Sequence, residues 1–169
     1  MLLAPLLKIS LCNIKKIIVS TYQASSGAGK KGYDELIIQT KEFSNNNVLT
    51  KDFWNKQYIH NVFSHNSKID KDNLFNKEEL KIIYETKKIL ECNLKISATC
   101  VRVPILRSHC LSVHVQFDRD VNLDEILTKF NNYNRFLHEK YLVKSIETMD
   151  KLVKTKYHSR LLVIVWDVE

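Results

Sequence analysis

The spacing of hydrophobic positions changes several times along the chain, and each change marks an element. Leu2, Leu3, Leu6 and Leu7 recur at helical spacing, and the apolar stretch from Lys15 to Tyr22 then reads as a strand. A helix is expected from near Tyr33, carrying Leu36, Ile37 and Thr40 to Phe43, until Asn45-Asn46-Asn47 favours a turn. The loop that follows is expected to continue through Asn66 and Ser67. Asn76 followed by Glu79 is a capping-box pattern, in which each side chain bonds the other's backbone N–H. It opens a helix on which Ile82, Ile83, Ile89 and Leu90 repeat at intervals of seven. Lys95 to Val103 predicts a strand and Pro104 to Cys110 a connection. Ser112 to Phe117 predicts another strand, with Val113 and Val115 alternating against His114 and Gln116. Asn122 with Glu125 repeats the capping pattern. Ser145 to Tyr157 sets Ile146, Met149 and Val153 on one helical face, and Leu161 to Val168 reads as a last apolar strand. No internal repeat or linker divides this order.

Composition narrows the class. The 169 residues, 44% hydrophobic and 27% charged, fit one globular domain with a core of ordinary size. The net charge of +7 comes mostly from 21 lysines scattered among acidic residues, with only five arginines, at 102, 107, 119, 135 and 160. That is a solvated surface rather than the clustered arginines and aromatics of a nucleic-acid face, so no nucleic-acid partner is expected. Cys12, Cys92, Cys100 and Cys110 form no C-x-x-C pair and the six histidines no H-x-x-x-H, which argues against a metal site and a disulfide framework. Free thiols in a reducing cytoplasm fit this pattern. The opening Leu-rich run lacks a basic start and is interrupted by Pro5 and Lys8, so no membrane segment is expected.

Candidate chemistry begins at the glycines. Gly27, Gly29 and Gly32 are the only three in the chain and stand directly after the first strand. Glycine reaches backbone angles that other residues avoid, so its confinement here implies a sharp turn or a close approach. Gly27-Ala-Gly29-Lys-Lys-Gly32 matches G-x-G-x-x-G, the spacing of a dinucleotide-binding turn. The acidic residue such a turn needs about twenty positions later is missing, because the chain there reads Asn45-Asn46-Asn47-Val48-Leu49. A P-loop would need glycine at 24 and Ser or Thr at 31, where Ala24 and Lys31 stand.

Four segments occur in order: Ser-Thr-Tyr-Gln-Ala-Ser-Ser-Gly-Ala-Gly from Ser20, Tyr58 to Ser67, Lys77 to Leu90, and Ile-Ser-Ala-Thr-Cys-Val-Arg-Val-Pro-Ile-Leu-Arg-Ser-His from Ile96. Together they resemble the aspartate-semialdehyde dehydrogenase family, from Met1 to about Asn132. The resemblance implies an α+β fold, a mixed sheet covered by helices, like the C-terminal catalytic and dimerisation domain of glyceraldehyde-3-phosphate dehydrogenases. It assigns 1–135 to that domain and leaves 136–169 as a divergent segment. It also makes the G-x-G-x-x-G spacing coincidental, since the family's dinucleotide turn lies in an N-terminal domain.

In that family a cysteine thiolate displaces phosphate from aspartyl 4-phosphate, and NADPH reduces the thioester to aspartate semialdehyde, on the route to lysine, threonine and methionine. By resemblance, Arg102 binds the substrate carboxylate, a task suited to guanidinium because its rigid fork meets two oxygens. His109 matches the general acid and base, since imidazole titrates near neutrality. Glu78 corresponds to the amine contact, Lys81 to the phosphate contact, and Gln23 to the amide beside the nucleophile. Ser26 and Gly27 correspond to the loop that touches the NADP cofactor. The nucleophile belongs to an Asn-Cys motif that family spacing puts before Met1, so it is absent from these residues. Neither Cys110 nor Cys100 replaces it: Cys110 adjoins His109 on an extended segment and points away, and Cys100 lies at a non-nucleophilic position. The expectation is therefore a fragment of an NADP-dependent enzyme, inactive by itself, cytoplasmic, acting on a small molecule and forming a homodimer or homo-oligomer. The competing reading is a noncatalytic dimerisation module or a decayed remnant that kept the fold. A binding-only module has no need of Gln23, Glu78, Lys81, Arg102 and His109 together, yet all five are present.

Overall fold

The computed structural model describes residues 14–117 and Thr128. The expected helices at Leu2–Leu7 and 145–157, the cap at Asn122 and the strand at 161–168 lie outside the described residues. The described elements are β1 (Ile14–Gln23), a single 3-10 turn (Ser25–Ala28), α1 (Gly29–Ser44), β2 (Phe63–Ser64), α2 (Lys77–Leu90), β3 (Lys95–Arg102) and β4 (Cys110–Phe117). The fold is α+β, as expected: a mixed sheet in the order β2-β3-β1-β4, accompanied by two helices. No helix among the described residues is long and apolar enough to cross a membrane.

β1 pairs parallel with β3, from Lys16 with Lys95 to Gln23 with Arg102, and antiparallel with β4 on its other edge. Parallel neighbours need a long crossover, here the whole stretch that carries α1, β2 and α2. A register irregularity between Ile14 and Lys16 leaves Lys15 and Lys16 both exposed and resets the alternation, after which Ile17, Val19, Thr21 and Gln23 are buried in turn. Their partners on the same face, Ala98, Cys100 and Arg102 of β3 with Val113 and Val115 of β4, are buried with them. At this end of the sheet the core turns polar, because the last buried pair is Gln23 and Arg102.

β3 and β4 lie on opposite edges of β1, so the seven residues joining them must cross over the end of β1. Val103 N–H donates to Gln23 O at 3.1 Å, and Ser25 and Ser26 N–H donate to Ile105 O and Leu106 O at 2.9 and 3.1 Å. The crossing segment is thus bonded across the turn that carries Gly27.

α1 begins at Gly29, earlier than Tyr33, because Gly29 at φ 80° bends the chain straight from the 3-10 turn into the helix. Its buried positions are Gly32, Glu35, Leu36 and Gln39, of which only Leu36 is a large hydrophobe, so the apolar pattern understates where the helix starts. Leu36 packs with Trp54, Tyr58 and Ile59 in a cluster that Phe53 and Phe63 complete. The stretch expected as a loop therefore supplies a core cluster and the short strand β2. α2 carries the capping box as expected: Asn76 Oδ1 accepts from Glu79 N–H at 2.9 Å and Glu79 Oε2 from Asn76 N–H at 2.8 Å.

Candidate functional site

Arg102 closes β3 with its side chain turned into the protein, only 3% exposed. Nη1 donates to Ala24 O at 2.9 Å, Nη2 lies 2.9 Å from His65 Nε2, and the guanidinium carbon sits 5.5 Å from the centre of the Trp54 ring. Every one of these partners is neutral or aromatic. The ion pair found among the described residues, Lys30 with Asp34 at 2.6 Å, lies elsewhere, on the exposed side of α1. Nε is buried without a hydrogen-bond partner. Burial pushes the guanidinium's pKa down, and Tyr58 and Glu78 oppose it. Arginine keeps its proton even so, which leaves a desolvated cation with no carboxylate paired to it among the described residues. Such a charge is costly unless an anion arrives to meet it.

The crossing segment brings His109 beside this cation. Its Nδ1 accepts from Ala24 N–H at 3.2 Å, so the neutral ring carries its proton on Nε2. A Cβ added to Gly27 would stand 2.8 Å from His109 Nε2 and 3.2 Å from Arg102 Nη1. Glycine lets the turn bring its backbone against both side chains without displacing them. Burial first, then Arg102, holds the His109 pKa below the ordinary histidine value, with Glu78 and the Ser108 carbonyl pulling the other way. His65 is lowered for the same two leading reasons, opposed by Glu78 and Glu79. Both rings are neutral at neutral pH.

The remaining expected residues fall in two groups. Gln23 is buried next to Arg102 in register, and its carbonyl accepts from Val103 N–H at 3.1 Å and the Tyr58 hydroxyl at 3.4 Å. Burial pushes the Tyr58 pKa up to about 12, so that hydroxyl stays a donor. Glu78, in the first turn of α2, reaches His65, Arg102 and His109 through its charge, and its N–H donates to Ser67 Oγ at 3.4 Å. Gln23, Gly27, Glu78, Arg102 and His109 thus gather at one end of the sheet. Ser26 and Lys81 stand apart. Lys81 is exposed one turn beyond Glu78. Ser26 lines a separate cavity of about 420 Å³ with Gly29, Lys30, Tyr33, Asp34 and Arg107.

The three glycines serve three purposes: close approach to His109 at Gly27, a positive φ at Gly29, and close packing at Gly32. A Cβ on Gly32 would stand 2.8 Å from the Trp54 ring and 2.9 Å from Phe53. Gly32 therefore packs against the aromatic core. Cys100 is fully buried, with its thiol pushed up mainly by burial and its N–H donating to Glu79 Oε1 at 2.9 Å. Burial also raises Cys110. Neither environment favours a thiolate.

Sequence reasoning gave His65 no role. It lies in an irregular stretch where spacing says nothing about direction. Only the pairing of β2 with β3, continued by His65 N–H to Cys100 O at 2.9 Å, turns its ring to Arg102.

A family profile described as semialdehyde dehydrogenase, dimerisation domain, matches residues 3–156, running past the 1–135 boundary expected from the motifs. The chain belongs to this family. Semialdehyde dehydrogenase relatives include the aspartate-semialdehyde dehydrogenase of Campylobacter jejuni, 43% identical over 124 residues that cover 69% of this chain and 35% of the relative. That of Helicobacter pylori strain J99 is 40% identical over 131 residues, 70% of this chain and 37% of the relative. Among solved structures, aspartate semialdehyde dehydrogenase II from Vibrio cholerae, complexed with ASA, superposes with a TM-score of 0.71 at 32% identity, covering 78% of this chain and 39% of that one. The chain spans roughly a third of the length of the curated semialdehyde dehydrogenases it matches.

Proposed function

We propose that this semialdehyde dehydrogenase domain provides the substrate-binding and proton-transfer residues of an NADP-dependent aspartate-semialdehyde dehydrogenase. The reaction converts aspartyl 4-phosphate and NADPH to aspartate semialdehyde, phosphate and NADP+ through a cysteine thioester, and serves amino-acid biosynthesis in the cytoplasm. The observation that carries this reading is the buried Arg102 guanidinium, held by neutral partners and paired with no carboxylate among the described residues. Two of its five N–H donors are engaged by Ala24 and His65, and Nε is buried with no partner, so the guanidinium retains donor capacity for a carboxylate.

In this reading Arg102 takes the substrate's α-carboxylate and Glu78 its ammonium group. Lys81 meets the phosphate, and Gln23 orients the acyl group beside the cysteine. His109, with Nδ1 occupied by Ala24 N–H, offers Nε2–H on the Gly27 side and supplies the proton that the new carbonyl chemistry requires. NADPH, when bound, supplies the reducing equivalent. The residues fit such a group in part: Ser26 and Gly29 line a cavity with Lys30, Tyr33, Asp34 and Arg107, in which Asp34 pairs with Lys30 and Arg107 is the cation suited to a phosphorylated ligand. The family's dimerisation character supports a homodimer.

The test joins these residues to the remaining two thirds of a relative and assays phosphate-dependent reduction of NADP+ with aspartate semialdehyde. Turnover is expected from the joined protein, in which the relative supplies the family's Asn-Cys motif. A joined protein that is well folded yet inert would overturn the assignment.

A further inference from the structure

We propose that His65 is a positioning residue for Arg102: its Nε2 accepts from Nη2 and holds the guanidinium edge for a carboxylate, and only the neutral ring can do so. This rests on the proposed role of Arg102 as a carboxylate site.

Three contacts aim the guanidinium. The Ala24 carbonyl takes Nη1, the Trp54 ring lies against the group, and His65 Nε2 fixes Nη2 at 2.9 Å. Arginine offers only donors, so Nε2 has to be the acceptor and the proton of the neutral ring resides on Nδ1. Ser67 Oγ, 3.0 Å from Nδ1, receives that proton's hydrogen bond. Ser67 N–H also points at Nδ1 at 3.2 Å, but a neutral imidazole cannot accept at both nitrogens. The bond from a charged donor is the stronger and decides the tautomer.

The ring is held by backbone as well, since His65 N–H pairs with Cys100 O, two residues before Arg102 on β3. The charged and titratable groups facing it are Arg102 from β3, His109 from the crossing segment, and Glu78 and Glu79 from α2. Burial, Arg102 and His109 disfavour a second proton, while the two glutamates favour it. Protonation would set an Nε2–H against an Nη2–H at hydrogen-bond distance, and the pair would have to part. The guanidinium edge would then lose the support that fixes its direction. A glutamine could replace the acceptor without titrating, whereas leucine would fill the space without accepting.

The experiment uses the 15N-labelled chain and side-chain NMR. The expected results are a His65 ring protonated on Nδ1 at pH 7.5 and slow rotation of the Arg102 guanidinium. That rotation should quicken in step with His65 titration. His65→Gln should keep the slow rotation into acid, and His65→Leu should lose it at every pH. L-aspartate is the binding probe: wild-type affinity is expected to fall about tenfold as His65 takes its proton, and His65→Gln to lack that fall. Proton on Nε2, rotation in His65→Leu matching wild type, or an acid step that persists in His65→Gln would each overturn the proposal. Should His65→Leu fail to fold, the wild-type and His65→Gln series decide alone. If L-aspartate binds at no pH while rotation still tracks His65, the substrate role of Arg102 fails and the positioning of Arg102 by His65 stands.

Discussion

At the scale of single residues, the same change at two glycines should separate function from stability. Gly27→Ala would push a Cβ onto the far end of the His109 side chain, which can swing aside. In the joined enzyme the expected result is a turnover number lowered about tenfold or more, with the urea midpoint little changed. Gly32→Ala drives its Cβ against two packed aromatic rings, which have nowhere to go. It should destabilise the fold by about 1–3 kcal/mol, read from urea denaturation. Arg102→Lys keeps the charge but loses the planar fork, and should raise KM for aspartate semialdehyde about tenfold or more in the joined enzyme. The histidines give a pH dependence of stability. Both have folded pKa values below the ordinary 6.5, so the unfolded chain takes up their protons first as pH falls. Stability should therefore drop as pH passes down through about 6.5 towards the folded values. A lower urea midpoint at pH 5.5 than at 7.5, with a smaller difference in the His65→Gln/His109→Gln double variant, is the expected outcome. An equal drop in the double variant would contradict it. Arg102 and His109 could be read from the sequence because they fall within one ordered motif. His65 could not, since its partner lies thirty-seven positions away and is reached only through strand pairing.

At the scale of elements, α1 shows why a helix can be underestimated. Its buried stripe is built from Gly32, Glu35, Leu36 and Gln39, and the polar members hold backbone instead of filling a greasy core. Glu35 accepts from the N–H groups of Phe53 and Trp54. Gln39 Nε2 donates to Thr50 O at 2.7 Å and Lys56 O at 3.2 Å, and its Oε1 accepts from Tyr58 and Ile59 N–H at 2.7 and 3.2 Å. One amide thus satisfies four backbone groups of the loop that sets Trp54 and Tyr58 around Arg102. Hydrophobic periodicity is blind to such a face, which is why the stretch reads as a loop. Gln39→Leu would strand those groups and should cost about 2–4 kcal/mol. Faster hydrogen exchange at the Tyr58 and Ile59 amides would confirm it, and unchanged exchange would refute it. α2 was legible for the opposite reason. Its capping box is local, and the four residues from Asn76 to Glu79 contain the whole device.

At the scale of the molecule, the strands could be located in advance but not ordered. Alternation along Val113, Val115 and Phe117 reveals a half-buried strand, yet says nothing about which edge of β1 it joins. The order β3-β1-β4 follows from pairing over the whole domain, and that order is what carries a seven-residue link over the end of β1 to set His109 beside Arg102. The resemblance supplied a mixed sheet covered by helices without its strand order, and the chain's own pattern supplied only the parts.

The link from Val103 to His109 also restricts how this domain can be rewired. It is hydrogen-bonded to Gln23, Ser25 and Ser26 along its length, so its span is matched to the width of the strand beneath it. Lengthening it by one residue, or opening it to make new chain ends in a circular permutant, would keep every side chain yet free His109 to drift from Arg102. A connection pinned along its length to the strand end beneath it is the one that least tolerates interruption.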